Sequence, residues 1–336
     1  MKPELTHRQR LEACLARMPL DRAPVALWRH FPVDDQDPQL LAEAVLDYQA
    51  QWDFDLVKVT PASSFCLKDW GVTDEWRGNP EGTREYTHAA IQSPEDWLRL
   101  RPLDPGAAPR LAAQLECLRQ IADKLDPQTP ILQTIFNPLS QAKNLVGKNN
   151  LTFHLRRYPE AVHAGLKTIT ETTRRFVEAA RQTGIAGVFF AVQHAQYGLL
   201  TEGEYAEFGR PYDLQVLEPA QSLWLNMLHL HGEEVMFDRF LDYPIAAINW
   251  HDRDTAPSLH EAQQRFKGVV CGGLRRETVV LGTPQSVQAE AQTALQATNG
   301  QRIILGTGCV TPIIAPRANL AAVRRSVSEK SQGGRE

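Results

Sequence analysis

Residues 158–192 read YPEAVHAGLKTITETTRRFVEAARQTGIAGVFFAV and contain one complete helix–strand unit. The first part repeats apolar side chains three and four apart, the period of an amphipathic helix over Tyr158–Thr183. Thr183-Gly184 supplies the stop, because glycine readily takes the left-handed backbone that ends a helix. The run that follows, Gly187–Val192, is apolar throughout. A strand wetted on one face alternates, so an unbroken run suits a sheet buried on both faces. Helix, stop and doubly buried strand together make the repeating unit of a parallel α/β sheet.

The same unit recurs on both sides. Strands are expected at Pro24–Trp28, Leu56–Thr60, Ile131–Phe136, Leu225–Leu230, Ile245–Trp250, Gly268–Cys271 and Ile303–Leu305 as well as Gly187–Val192. Helical patterns lie between them at Pro38–Trp52, Glu202–Gln221, Glu233–Leu241, Ser258–Phe266, Thr283–Ala297 and Asn319–Glu329. Eight strands with helical crossovers are what a (β/α)8 TIM barrel requires. The alternative is an open doubly wound sheet, but no Gly-x-Gly-x-x-Gly follows an early strand, which argues against its dinucleotide-binding form. No Pro/Gly/Ser-rich linker and no internal repeat divides the chain, so residues 1–336 are read as one barrel domain. The region 63–124 is too long for a simple connection and is expected to form an elaborated loop region, either a lid or a surface insertion. A polar, frayed tail is expected from about residue 330.

Composition narrows the function. The chain has 336 residues, 43% hydrophobic and 23% charged, with a formal net charge of −4. That is globular composition without the basic footprint that nucleic-acid binding needs. No run of about 18 apolar residues predicts a membrane span. Five scattered cysteines, an odd number, read as reduced thiols in a cytoplasmic protein.

Barrel chemistry sits at the C-terminal strand ends, so polar residues there are the site candidates. His229-Leu230-His231-Gly232 ends one expected strand, and residues two apart in an extended chain point the same way. The last strand runs into Gly306-Thr307-Gly308-Cys309, a turn that presents a thiol at the same end. Two imidazoles and one thiolate make a plausible zinc set, with the fourth tetrahedral position open for catalysis. The plainer reading is a hydrogen-bonded histidine pair and a small buried cysteine. His251 and Asp252, ending another strand, suit a base with its orienter, a second shell around the metal, or a helix cap with a surface histidine. Gln193, His194 and Tyr197 could bind polar groups of a ligand or satisfy loop backbone. Gly272 and Gly273 suit close approach of a ligand. Arg29 suits a substrate carboxylate or an ion pair with Asp34, Asp35 or Asp37.

Several stretches, in order, resemble the uroporphyrinogen decarboxylase superfamily. They are the opening Thr6-His-Arg-Gln-Arg-Leu-Glu-Ala-Cys-Leu, Asp21-Arg22-Ala23-Pro24-Val25, Phe54-Asp55, Tyr158-Pro159-Glu160, Thr183 to Gly187, His229 to Gly232 and Gly306 to Cys309. The resemblance spans residues 6–328 and implies a single (β/α)8 barrel. It also implies one of two chemistries. One is decarboxylation of uroporphyrinogen III; the other is zinc-dependent methyl transfer from a methylated corrinoid to a thiol.

The decarboxylase pattern departs at several positions. Arg29 is similar, but a second arginine has no counterpart in Phe31–Asp37. The aspartate falls at Ala62, the tyrosine near Asn144 and the turn histidine at Thr307. The methyltransferases resemble this chain at the metal: His229 and Cys309 match two ligands, and His231 stands where a cysteine is expected. The resemblance therefore implies zinc, a corrinoid methyl donor held on a separate protein, and a small thiol acceptor. It leaves a tetrapyrrole substrate, or a non-catalytic corrinoid- or tetrapyrrole-binding barrel, as alternatives, and it permits a homodimer. Glu233 or Glu234 is expected to be able to fill the fourth metal position.

Overall fold

The structure is a computed structural model that describes residues 4–147 and 150–328. Its elements run α1 (His7–Leu15), α2 (Pro38–Trp52), β1 (Val57–Val59), β2 (Thr73–Glu75), β3 (Glu85–His88), α3 (Pro94–Arg99), α4 (Pro109–Lys124), β4 (Ile131–Phe136), α5 (Pro138–Val146), α6 (Leu151–Arg157), α7 (Pro159–Arg181) and β5 (Gly187–Val192). They continue with α8 (Glu202–Phe208), α9 (Arg210–Leu217), β6 (Met227–Leu230), β7 (Ala247–Trp250), α10 (Leu259–Arg265), β8 (Val269–Leu274), α11 (Arg276–Leu281), α12 (Pro284–Ala297), β9 (Ile303–Thr307) and α13 (Arg317–Ser326). The expected tail lies outside the described residues, as does Glu329. No helix among the described residues is long and apolar enough to cross a membrane.

Seven strands form one parallel sheet in the order β1-β4-β5-β6-β7-β8-β9. Every residue of these strands is buried, as the uninterrupted apolar runs require. Because all seven run the same way, their C-terminal ends share one side of the molecule. Helices cover the outer face, with α7 packed on α5 and α9, and α12 on α13.

The first expected strand is reduced to a single parallel bridge, Val25 to Leu305. Pro24 has no N–H to give, and the Val25 N–H donates to the Asp55 carboxylate at 2.7 Å rather than to a strand. The segment nevertheless touches both edges of the sheet. Ala26 N–H donates to Leu305 O at 2.9 Å, and Asp55 N–H donates to Val25 O at 2.9 Å.

Two expected helices differ. The stretch Glu202–Gln221 is broken into α8, α9 and a 3-10 turn at Pro219–Ser222, because Pro211 and Pro219 cannot continue a helical ladder. Glu233–Leu241 holds only a 3-10 turn at Phe237–Phe240. Its backbone pairs elsewhere: Tyr197 N–H donates to Glu234 O at 3.0 Å, and Met236 N–H donates to Ala195 O at 2.8 Å. The loop after β6 is thereby stitched to the loop after β5.

The region 63–124 holds the antiparallel pair β2–β3, then α3 and α4. The loop joining β2 to β3 reaches the C-terminal side of the sheet, where Ile313 N–H donates to Pro80 O at 2.8 Å.

Candidate metal centre and its cavity

His229 lies inside β6, His231 directly after it, His251 directly after β7, and Cys309 two residues after β9. One donor atom from each gathers into a group whose members all lie within 4.8 Å of one another. The Cys309 Sγ is 3.7 Å from His231 Nδ1. Close approach of the last loop depends on Gly308. A Cβ there would stand 2.7 Å from both the His251 Cα and the Trp250 carbonyl oxygen. The Thr307 hydroxyl then donates to the Cys309 carbonyl at 2.6 Å and holds the turn.

The proton on His229 is fixed by its neighbour across the ladder. Asn249 is paired in register with His229. Its Nδ2 donates to the carbonyls of Cys271, at 2.9 Å, and Thr307, at 3.1 Å. That orients its Oδ1 as an acceptor, 2.7 Å from His229 Nδ1. His229 therefore carries its proton on Nδ1 and presents the Nε2 lone pair to the cluster. Burial pushes the His229 pKa down, so the neutral ring is favoured. Burial opposes ionisation of the Cys309 thiol, but the imidazoles gathered around it, His231 Nδ1 among them at 3.7 Å, hold it well below the ordinary thiol range. The His251 Nε2 is buried without a hydrogen-bond partner.

His229, His231 and Cys309 border a cavity of about 120 Å³ that is partly open to solvent. His229, His231 and Cys309 line one part of it, and Lys58, His30 and Phe189 line another. Lys58 comes from the middle of β1, is 7% exposed, and holds its Nζ 4.6 Å from the Phe189 ring centroid. Burial pushes its pKa down to about 7. Glu81 and Thr83, from the loop between β2 and β3, also border the cavity, and Glu81 accepts from Arg276 at 2.6 Å.

The other residues anticipated from sequence are distributed differently. Gln193 lines the cavity, with its Oε1 accepting from Lys143 Nζ at 3.0 Å. His194 is buried with Nδ1 unpartnered, and burial, aided by Lys143 and His231, drives its pKa down to about 3. Arg29 points the other way along its extended segment, over the Phe31 ring, with its guanidinium donating to the His30 and Ile313 carbonyls. Its neighbour His30 enters the cavity instead.

Asp252 faces the backbone rather than His251. The Gly273 N–H donates to its two oxygens at 3.1 and 3.2 Å, and a Cβ on Gly272 would stand 2.3 Å from its Oδ1. The glycine pair thus admits a carboxylate of the chain itself, where sequence suggested a ligand. Tyr197 is exposed and donates to Glu202 at 2.7 Å. Glu233 and Glu234 are exposed and outside the cluster; the fourth member of the group is His251 instead.

Lys58 and Asn249 were missed from sequence alone. Each is a polar residue inside an otherwise apolar strand, and that interruption was the available signal.

The sequence profile of the uroporphyrinogen decarboxylase (URO-D) family matches residues 6–330. The chain is also 21% identical, over 342 residues, to the methylcobamide:CoM methyltransferase MtbA of Methanosarcina acetivorans, covering 94% of this chain and 96% of that one. Among solved structures, a methyltransferase from Methanosarcina mazei superposes with a TM-score of 0.78 at 18% identity, covering 96% of this chain and 98% of that chain. A B12-independent methionine synthase from a Shewanella species superposes with a TM-score of 0.57 at 13% identity, covering 92% of each. These superpositions speak for a shared fold. The family assignment rests on the profile, which runs from the first turn of α1 past the end of α13: this chain belongs to the uroporphyrinogen decarboxylase family.

Proposed function

We propose that this protein is a methyltransferase that moves a methyl group from a methylated corrinoid, carried on a separate protein, to a small thiol at a zinc centre. The observation that carries this reading is the convergence of His229, His231, His251 and Cys309 at the C-terminal strand ends. We also read the chain as one cytoplasmic barrel domain, with the Pro24–Trp28 segment in the eighth strand position.

The donor set fits zinc. A tetrahedral centre with Zn–S of about 2.3 Å and Zn–N of about 2.05 Å separates sulfur from nitrogen by about 3.6 Å. The Cys309–His231 separation is 3.7 Å. The thiol is already biased towards thiolate, and the His229 ring is set in the tautomer that coordinates. One thiolate and three neutral imidazoles would leave the centre with a formal charge of +1. Bound there, zinc would supply Lewis acidity that lowers the pKa of an incoming thiol and leaves it nucleophilic at neutral pH.

The residues around the cluster have distinct parts. Asn249 locks His229 from behind. His251 has no comparable lock, its Nδ1 being 4.0 Å from the Asp254 carboxylate. Four protein donors fill a tetrahedron, whereas a catalytic site keeps one position for substrate. His251, without such a lock, could turn away and make that room.

Metal analysis of the wild type beside His229→Ala and Cys309→Ala tests the reading. About one zinc per chain is expected in the wild type and a large loss in both variants. Methylcobalamin with a thiol acceptor should lose its methyl–cobalt absorbance only with the zinc-loaded wild type. Equal zinc in all three proteins removes the proposal.

A further inference from the structure

We propose that the loop from Gly78 to Thr83 is a gate over the histidine–cysteine cluster, latched by the Glu81–Arg276 ion pair and opening to let a methylated corrinoid reach the bound thiol; what it admits rests on the methyl-transfer reading above. A cavity of about 120 Å³ holds a few water-sized groups. That is room for a small thiol and not for a corrin macrocycle. Yet the attacking sulfur and the methyl carbon must come within about 3–3.5 Å of each other. Part of the cavity wall therefore has to leave before the two can meet.

One part of the wall is free to leave. Among the described residues, every lining group except Glu81 and Thr83 stands on a sheet strand, on the Pro24–Trp28 segment, or in the few residues that follow them. Glu81 and Thr83 belong to the loop joining β2 to β3, outside the sheet. Between them, Gly82 is pressed against the opposite rim. A Cβ there would stand 2.7 Å from the His30 Cβ and 3.0 Å from the Ile313 Cγ2.

The loop is a self-contained turn on a fixed base. Asn79 folds it on itself, its Oδ1 accepting from the Glu81 N–H at 2.8 Å and its carbonyl from the Gly82 N–H at 2.8 Å. Gly78 and Gly82 flank the turn with left-handed backbones, at φ of +81° and +78°, and Gly78 has open space around it, so the turn can pivot as a unit. The base stays behind. Asp74 of β2 holds Lys68 at 2.9 Å and Arg84, the neighbour of Thr83, at 3.0 Å. Tyr86 of β3 meets Ser63 and Asn144, each at 2.9 Å. Among the described residues, the turn reaches the far rim through two polar contacts, Ile313 N–H to Pro80 O at 2.8 Å and Arg276 to Glu81 at 2.6 Å. The Glu81 side chain is 39% exposed, so water and salt compete for this pair.

Two uncharged reagents of the same chemistry and different size read the gate on metal-free protein at pH 7, N-ethylmaleimide and pyrene maleimide. The quantity measured is the ratio of the bulky rate to the small one at Cys309, located by peptide mapping and referred to glutathione. Changes in thiol reactivity cancel in that ratio. In wild type the bulky reagent is expected to lag about tenfold or more, as for a minor open state. Glu81→Gln and Arg276→Met should each raise the ratio about 3- to 10-fold. Gly82→Ala, whose methyl wedges the turn away from His30, should raise it at least as far. Added salt should raise the ratio in wild type and leave it unchanged in Glu81→Gln.

A wild-type ratio equal to that of glutathione overturns the proposal, and so does a ratio unchanged in the three variants. Should the variants not fold, the wild-type salt series decides, and a flat series overturns the latch. Zinc-loaded protein with methylcobalamin and a thiol separates the gate from the reaction. Opened variants should show a lower KM for methylcobalamin. If wild type transfers no methyl group while the reagent ratios shift as expected, the corrinoid reading has failed and the gate stands. Methyl transfer with unchanged ratios removes the gate and keeps the reaction.

Discussion

Cys309 is chemically set apart from the other cysteines. Burial pushes Cys14 and Cys117 up to about 12, and Cys66 and Cys271 higher still, while the histidine cluster holds Cys309 down. In metal-free protein at pH 7, iodoacetamide should therefore modify one cysteine, and peptide mapping should locate it at Cys309. A depressed pKa leaves the thiolate fully formed above it, so the rate should be flat from pH 9 to 7. An ordinary thiol, with a pKa of about 8.5, slows nearly tenfold per unit below that value. Asn249→Ala should release the His229 ring and expose two carbonyls, weakening zinc about 10- to 100-fold in competition with a chelator. The convergence of His229 and His231 on one point was legible because residues two apart share a direction. Arg29 and His30 show the limit of the same rule. Neighbours in an extended segment point oppositely, so a one-residue error in phase exchanges a guanidinium for an imidazole at the cavity.

Elements reach the site through polar joints that hydrophobic patterning does not reveal. Asp213 in α9 is fully buried and accepts from Asn137 Nδ2 at 2.9 Å, the Tyr205 hydroxyl at 2.5 Å and the Tyr243 hydroxyl at 3.0 Å. Asn137 in turn caps α5, accepting from Ser140 N–H at 3.0 Å, and the Ser140 hydroxyl accepts from the Gln193 N–H at 3.0 Å, at the cavity edge. Burial outweighs these hydrogen bonds and raises the Asp213 pKa to about 6. The folded state therefore holds a proton that the unfolded chain has released between about pH 4 and 6, and stability falls as pH rises through that window, by at most about 3 kcal/mol. Asp213→Asn should abolish that slope in urea titrations. It should also cost about 1–3 kcal/mol at pH 5, since its amide nitrogen would face a donor. Helix α2 was readable to the residue, because Asp37 caps it and Pro38 opens it. The stretch Glu233–Leu241 was not, because its backbone partners lie in another loop.

At the scale of the whole molecule, α1, the Pro24–Trp28 segment and the residues leading into β1 meet at one carboxylate. Asp55 is wholly buried and accepts from Arg10 at 2.6 Å, Arg22 at 2.6 Å, His7 at 2.9 Å and the Val25 N–H at 2.7 Å. The sequence suggested eight equivalent strands, and Val25 shows why one differs. Its N–H is used by this carboxylate, and a side chain brought from 30 positions away leaves no trace in local periodicity. Burial works against the charge, but the partners win and hold the Asp55 carboxyl far below the usual range. Its stabilisation is thus complete above about pH 4 and is lost as pH falls towards the folded-state value. Asp55→Ala strands the buried Arg10 guanidinium beside Asp21 alone and releases the Val25 N–H, which should cost about 3–5 kcal/mol in urea denaturation at pH 7. The wild type should converge towards the variant as the medium is acidified below pH 4. A variant that loses zinc affinity along with this stability would show that α1 and the Pro24–Trp28 segment brace β9, whose C-terminal loop carries Cys309. A variant that loses stability alone would show that the cluster is held by β6 and β7 without them.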